Sequence, residues 1–410
     1  KGGNKSNVNL RKGDALILLN SDNLRIFNTI INNIGGSGYG KGGGHGIIRI
    51  NSNSTIDIEN SMITNVGGSN HEDVINEVGN GTIIIQAKNI TFNKLILENN
   101  GGNGKIIHGG KSIINISANK LECYNDILKN YGGYSERVDN IIGYAGFYFI
   151  IKDLLILYNE TIYNIGGDGG SYDLLGGGDG AYSDFRIGDK NKIIDFVDIN
   201  HCKIYNFGGN GGNSPNTNFY DAGKGGFSSF SIDATYLTIK NDTIIYNIGG
   251  NGGNMLVNTS DSDTNGGDGG DSIFFFSSRD LVNNKSWIKI SNTTIYIKGG
   301  DGGDSYNVNG KGGDGGEAIF TMMAINSTLN NTYFHIESGK GGDTKVGINY
   351  MGGNGGDCRL KNILNEQGKL INFRYEIILG QKLDKRNFRK KILSSNILEE
   401  TGNKKLEGRH

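Results

Sequence analysis

The sequence predicts an all-β chain: a parallel β-helix, or β-solenoid, of about nine coils with stacked glycine-rich arms. Three observations predict it. Gly-Gly pairs recur at intervals of 31 to 50 residues, starting at Gly35, Gly67, Gly101, Gly132, Gly166, Gly208, Gly249, Gly299 and Gly341. Two columns precede them at fixed offsets. Aliphatic residues stand four positions ahead (Ile31, Ile63, Leu97, Leu128, Ile162, Ile204, Ile245, Ile295), and asparagines two positions ahead (Asn33, Asn65, Asn99, Asn130, Asn164, Asn206, Asn247). The segments leading in, such as "STIDIENSMITNV" and "NITFNKLILEN", alternate with period two and are rich in β-branched residues.

Each element follows from its residues. An aliphatic column revisited at one offset reads as an interior stack. The asparagine column reads as an amide ladder at a bend, each side chain bonded to the next, as in other in-register parallel sheets. Ile297 replaces the asparagine in the eighth copy, and the ninth, "HIESGKGG", breaks both rules. The glycines follow a Gly-Gly-X rule, as in "GGDGGS" at 166–171 and "GGNGGN" at 249–254. A period of three is that of a polyproline-II-type helix, which puts every third side chain on one edge. The glycine edges, lacking Cβ, are free to pack backbone against backbone. Paired bursts, such as "GGDGGDS" at 299–305 and "GKGGDGGE" at 310–317, read as an arm sent out and brought back. The arms of the first four copies are poorer in glycine. Three segments result: 1–30 as an N-terminal cap or first strands, 31–360 as the armed repeats, and 361–410 as a basic cap or subunit-exchange segment.

Composition excludes several classes. Among 410 residues there are 69 glycines but a single proline, Pro215, so this is not collagen. Apolar residues between the glycine bursts argue against disorder. The net charge of −1 offers no global field for nucleic acid or an anionic surface. Cys123, Cys202 and Cys358 are dispersed with no CxxC, so neither zinc nor a redox motif is indicated. Apolar runs such as "DSIFFFSS" are too short to span a bilayer. The chain opens on Lys1 rather than Met, as removal of a leader would leave it.

The pattern "GGxGG…GGxGG…IxIxAxxxxIxN" resembles glycine-rich β-helix proteins of microbial surfaces. Its arms are similar to the polyglycine-II sandwiches of phage tail-tip adhesins and mycobacterial surface proteins. The resemblance spans about 30–360, most clearly 160–357. It implies an exported, surface-located or fibre-forming role, and carries no shared ligand or binding residue with it.

Candidate chemistry is sparse. "GHG" at 44–46 has no Asp-Asp pair elsewhere to complete a polygalacturonase-like set, so no catalytic residue is expected and the chain reads as non-enzymatic. "DSDTNGGDGGDS" at 261–272 opens like a calcium loop, with Asp261, Asp263 and Asn265, and with Asp268 able to replace the missing closing glutamate. Calcium is the only cofactor that any motif suggests. Twelve N-x-[ST] sequons occur, among them Asn89, Asn115, Asn159, Asn241, Asn292 and Asn326, which would be glycosylated if the chain is exported through a glycosylating host. Residues 366–410 carry eleven Lys and Arg against six Asp and Glu, a surplus of +5 that leaves −6 for the rest.

The expectation is a non-enzymatic extracellular structural protein at the cell surface, the subunit of a filament or layer. The alternatives are a glycan-binding adhesin and a polysaccharide-active enzyme on the same scaffold. Expected partners are further copies joined head to tail, and surface glycans. Nucleic acid and a transmembrane segment are not expected.

Overall fold

The alternating segments form strands throughout, and twenty-three strands join one large sheet among the described residues. The computed structural model describes residues 13–38, 42–70, 78–105, 109–135, 143–172, 176–189, 193–215, 220–256, 264–278, 286–345, 352–361, 369–379 and 392–401. The fold is all-β, and no helix among these residues is long and apolar enough to cross a membrane.

Strands pair in parallel with their counterparts one repeat later, in register. Ala145–Tyr158 pairs with Ser183–Ile187 and Ile194–Asn200, while Thr161–Ile165 pairs with Lys203–Phe207, which pairs with Thr243–Ile248. Repeats of unequal length stay aligned because the extra residues fall in the arms or between two strand segments, as between Ser183–Ile187 and Ile194–Asn200 and between Ser272–Ser277 and Trp287–Lys298. The first repeat already starts at Ala15, whose strand Ala15–Phe27 pairs with Gly46–Glu59, ahead of the boundary expected near residue 31.

The period-two alternation sorts side chains to two sides. In Thr161–Ile165, Ile162 and Asn164 are buried while Thr161, Tyr163 and Ile165 lie half-buried outside. Interior columns then stack. Phe147, Phe185, Phe230, Phe274 and Phe320 follow one another, the central rings nearly parallel at 4.9 and 4.5 Å. The half-buried outer face carries Tyr163, Tyr205, Tyr246 and Tyr296 in a second stack at 4.7 to 5.2 Å. Ring faces there are used on one another, so only edges and hydroxyls remain for anything else.

The arms are held by backbone hydrogen bonds in which every third residue has the same role. Gly208 N–H donates to Ile248 of the next repeat, Gly209 N–H to Ala181, and Asn210 N–H to the Asp168 carboxylate of the preceding repeat. The second glycines form an unbroken relay: Gly226 to Gly209, Gly250 to Gly226, Gly270 to Gly250, Gly300 to Gly270, Gly316 to Gly300, Gly339 to Gly316. This backbone pairing offsets the high ordering entropy of glycine. It also requires glycine at these places: a Cβ on Gly250 would lie 1.8 Å from the Gly209 carbonyl oxygen.

The ninth repeat departs from the sequence alignment. Ser338 N–H and Gly339 N–H make the bonds that Gly299 and Gly300 make one repeat earlier, and Phe334 and Ile336 pair with Ile295 and Ile297. Its entry into the arm is therefore Ser338-Gly339, and Gly341-Gly342 is one three-residue turn further out. Read from Ser338, this copy keeps an apolar residue at both offsets.

Beyond residue 361 the sheet continues. Lys369–Ile378 pairs in parallel with Asn326–Glu337, and Ile392–Thr401 folds back antiparallel on it as a hairpin. Both pairings are made within one chain.

Candidate functional site

Three polar columns and one outward cluster are the places where chemistry could reside. The first column is the set of seven asparagines. Asn33 Nδ2 donates to Asn65 Oδ1 at 2.8 Å, and the relay continues through Asn99, Asn130, Asn164 and Asn206 to Asn247 with steps of 2.6 to 3.0 Å. All seven are buried. Each amide also donates to a carbonyl of the neighbouring strand, as Asn206 Nδ2 does to Ser229 at 2.7 Å, so these interior groups are satisfied. The last amide, Asn247, ends on Ser272 Oγ at 2.8 Å, and Ile297 then continues the column without a polar group.

The second column lies at the bend between the second and third strand segments of each repeat, and the sequence reading missed it. Residues there take positive φ: Asn28, Asn60, Lys94, Asn125, Asn159, His201, Asp242, Asn292 and Asn331, at 46 to 61°. Asparagine and aspartate tolerate this left-handed conformation best. The signal was available, because all but the last stand seven positions before a recurring Gly-Gly pair, and Asn331 stands seven before Ser338. Two of the sequon asparagines, Asn159 and Asn292, occupy this exposed bend, with Asn241 directly beside it. Asn159 donates to Asn125 at 2.8 Å, Asn241 to Asn200 at 2.9 Å, and Asn292 accepts from Asn331 at 2.7 Å. Asn89 is exposed, and Asn115 and Asn326 are partly so.

One residue further on, a third column turns inward and caps main-chain N–H groups of the preceding repeat. Ser61 accepts from Thr29, Asp126 from Leu95, Glu160 from Asp126, and Thr243 from Cys202. Asp126 and Glu160 therefore face each other on consecutive repeats, both buried, and Asp126 Oδ2 and Glu160 Oε2 have no hydrogen-bond partner. Burial pushes both carboxyls well above their ordinary range, and for Glu160 the neighbouring Asp126 adds to the effect. Cys123 and Cys202 lie buried nearby and are raised by burial, with the two acids contributing at Cys123 and Glu160 at Cys202. Such thiols are protonated and inert at neutral pH.

Where this bend column meets Thr243, Thr293 and Thr332, a groove of about 520 Å³ opens on the surface, bordered by Asp242, Asn292, Asn331 and Tyr333. Beside it sits the outward cluster. His335 Nε2 lies 3.1 Å from Glu337 Oε2, His335 Nδ1 3.4 Å from Glu376 Oε2, and the Tyr333 hydroxyl donates to Glu376 at 2.8 Å. The sequence reading missed this cluster as well, because Glu376 arrives from a strand more than forty residues downstream.

Of the calcium candidates, Asp261 and Asp263 lie outside the described residues. Asn265 Oδ1 accepts the Lys311 N–H at 2.9 Å, and Asp268 Oδ1 accepts the Asp314 N–H at 3.0 Å while Oδ2 pairs with Lys224 at 3.0 Å. Among the described residues no group of three or more His, Cys, Asp or Glu is placed to hold a metal ion.

Comparison with known proteins bears on the C-terminal segment. Residues 372–410 match the model of the NrtR DNA-binding winged helix domain. No curated protein matches the chain. No solved structure matches it either. The expectation that nucleic acid is not a partner is corrected by the winged helix match. Net charge misled because it averages over the whole chain: the acidic surplus of the armed repeats hides the basic surplus after residue 366.

Proposed function

We propose that the chain is a parallel β-helix of about nine coils, and that it serves as a non-enzymatic structural protein at the cell exterior, the subunit of a surface filament or layer. The observation that carries this reading is the continuity of its hydrogen-bonded columns. The asparagine relay from Asn33 to Asn247 and the glycine relay to Gly339 run along the stack, so each coil is braced by its neighbours. The buried acids and thiols, Asp126, Glu160, Cys123 and Cys202, face the interior rather than the groove, where Tyr333 alone among the lining residues has a shifted acidity, and this suits a scaffold better than a catalyst. Small-angle scattering and negative staining of the purified chain test this: a rod, alone or in filaments, supports it. A compact globule, or turnover of a polysaccharide panel, defeats it.

A second reading is favoured by the winged helix match. Residues 372–410 carry ten Lys and Arg against five Asp and Glu. Such a segment would contact phosphates in a salt-dependent manner. Fluorescence anisotropy with a labelled duplex tests it: affinity that falls steeply with salt supports nucleic-acid contact, and no binding at low salt removes it.

A further inference from the structure

We propose that His335 is a protonation-dependent clasp that fastens the C-terminal hairpin to the last repeat. The hairpin strand Lys369–Ile378 pairs with Asn326–Glu337 so that His335 stands opposite Glu376. His335 has one carboxylate on each ring nitrogen, Glu337 from its own strand and Glu376 from the hairpin. Both contacts are partly shielded, with side chains 18 to 28% exposed.

Counting protons decides the behaviour. An imidazolium has two N–H donors, and the Tyr333 hydroxyl has a third proton. Together they suit every contact: Nε2–H bonds Glu337, the Nδ1–H side sets its charge 3.4 Å from the Glu376 carboxylate as an ion pair, and Tyr333 O–H bonds Glu376. A neutral imidazole has one N–H. If Nε2 keeps it, Nδ1 is a bare lone pair facing the Glu376 carboxylate. The Tyr333 hydroxyl, 3.3 Å from Nδ1, can turn to it only by leaving Glu376. If Nδ1 keeps the proton, Nε2 faces Glu337 as lone pair against carboxylate. Either way one contact becomes repulsive, and in the first case the loss falls on Glu376, the group that ties down the hairpin. The remaining neighbours do not substitute. Tyr296 of the preceding repeat packs its ring 5.5 Å from His335, and Lys298 and Lys340 act on Glu337, which is held below its usual range chiefly by its hydrogen bond to His335.

The clasp holds while both ring nitrogens of His335 carry a proton and loosens when one is lost. The released strand belongs to the segment that matches the winged helix domain, so on the nucleic-acid reading above, loosening would present that segment. The clasp itself does not depend on that reading.

Hydrogen exchange on the full chain tests it at about pH 5.5 and about pH 8.5, on either side of the usual imidazole range. After correction for intrinsic exchange, amides of 369–378 are expected to exchange about tenfold more slowly at the acid value, the worth of one charged hydrogen bond. Thr161–Ile165, beside the buried carboxyl pair, reports any global change in the same spectra. H335Q should abolish the difference in 369–378 alone. If H335Q does not fold, E376Q removes the same contact from the other side. Equal protection at both pH values, or a pH dependence that survives in the variant, overturns the clasp. A duplex added at both pH values separates the readings: clasp release without DNA binding leaves the clasp standing and removes the nucleic-acid role.

Discussion

Asn206 Nδ2 lies 2.6 Å from Asn247 Oδ1, although 41 residues separate them in the chain. The side chain of one repeat thus satisfies that of the next inside a largely apolar core of aliphatic and phenylalanine side chains. Removing Asn206 strands Asn247 Oδ1 on one side and takes from Asn164 Nδ2 one of its two acceptors on the other, leaving it the Ala145 carbonyl. Asn206→Ala should cost about 1–3 kcal/mol. Asn247→Ile, at the end of the relay and next to Ile297, should cost less. Chemical denaturation of both variants checks the order, and equal losses would mean that the relay adds nothing.

The glycine relay makes a sharper prediction. Gly250→Ala puts a methyl 1.8 Å from a carbonyl that cannot move without shifting its own repeat. A loss of about 2–4 kcal/mol is expected, in the range of severe core substitutions. Asn251→Ala, one residue away on the exposed edge, should cost about 1 kcal/mol through one lost side-chain bond to the Asp301 N–H. Similar losses at the two positions would refute close packing of the arms.

The buried acids give the pH dependence. Asp126 and Glu160 are both raised in the folded chain, chiefly by burial, so the fold holds protons that the unfolded chain releases. Their contribution to stability is fully present below about pH 4, the ordinary carboxyl value, and is lost as pH rises through the raised values. Melting temperature should therefore fall from mildly acid to mildly alkaline buffer, and Glu160→Gln should flatten that slope. A slope unchanged in Glu160→Gln would place its origin elsewhere.

For calcium, chelator should leave the melting curve unchanged, because Asn265 and Asp268 already accept main-chain N–H groups from the next repeat. A chelator-induced drop that Asp263→Ala abolishes would show instead that the loop binds the ion.

The legible part of the fold was whatever recurs at a fixed offset. Asn164 pairs with Asn206 in the sheet because both stand two residues before their glycines. The ninth repeat was misread for a physical reason: an arm with period three offers several glycine pairs in phase, and Ser338 hides the true first member. The bend column was visible at seven residues before each pair, but its mixed chemistry (asparagine, lysine, histidine, aspartate) disguised a shared backbone conformation. His335 and Glu376 could not be read at all, since no repeat relates them and only the parallel pairing of their strands brings them together.

The arms also bear on chemical ageing. Asn-Gly and Asp-Gly steps are the ones most prone to cyclise to a succinimide, when the glycine nitrogen attacks the side-chain carbonyl carbon. This chain carries such steps at Asp168-Gly169, Asn210-Gly211, Asn251-Gly252 and Asp301-Gly302. In all four the glycine nitrogen is bonded to the next repeat and the side-chain oxygen is held by that repeat's N–H, as when Gly252 donates to Asp301 at 2.8 Å and Asn251 Oδ1 accepts from Asp301 at 2.9 Å. Nucleophile and electrophile are pinned apart by the same stacking that orders the arm. Steps that would cyclise readily in a free peptide are thereby protected for as long as the fold holds, and deamidation at the asparagine steps, measured by mass spectrometry, becomes a record of where and when the arms come open.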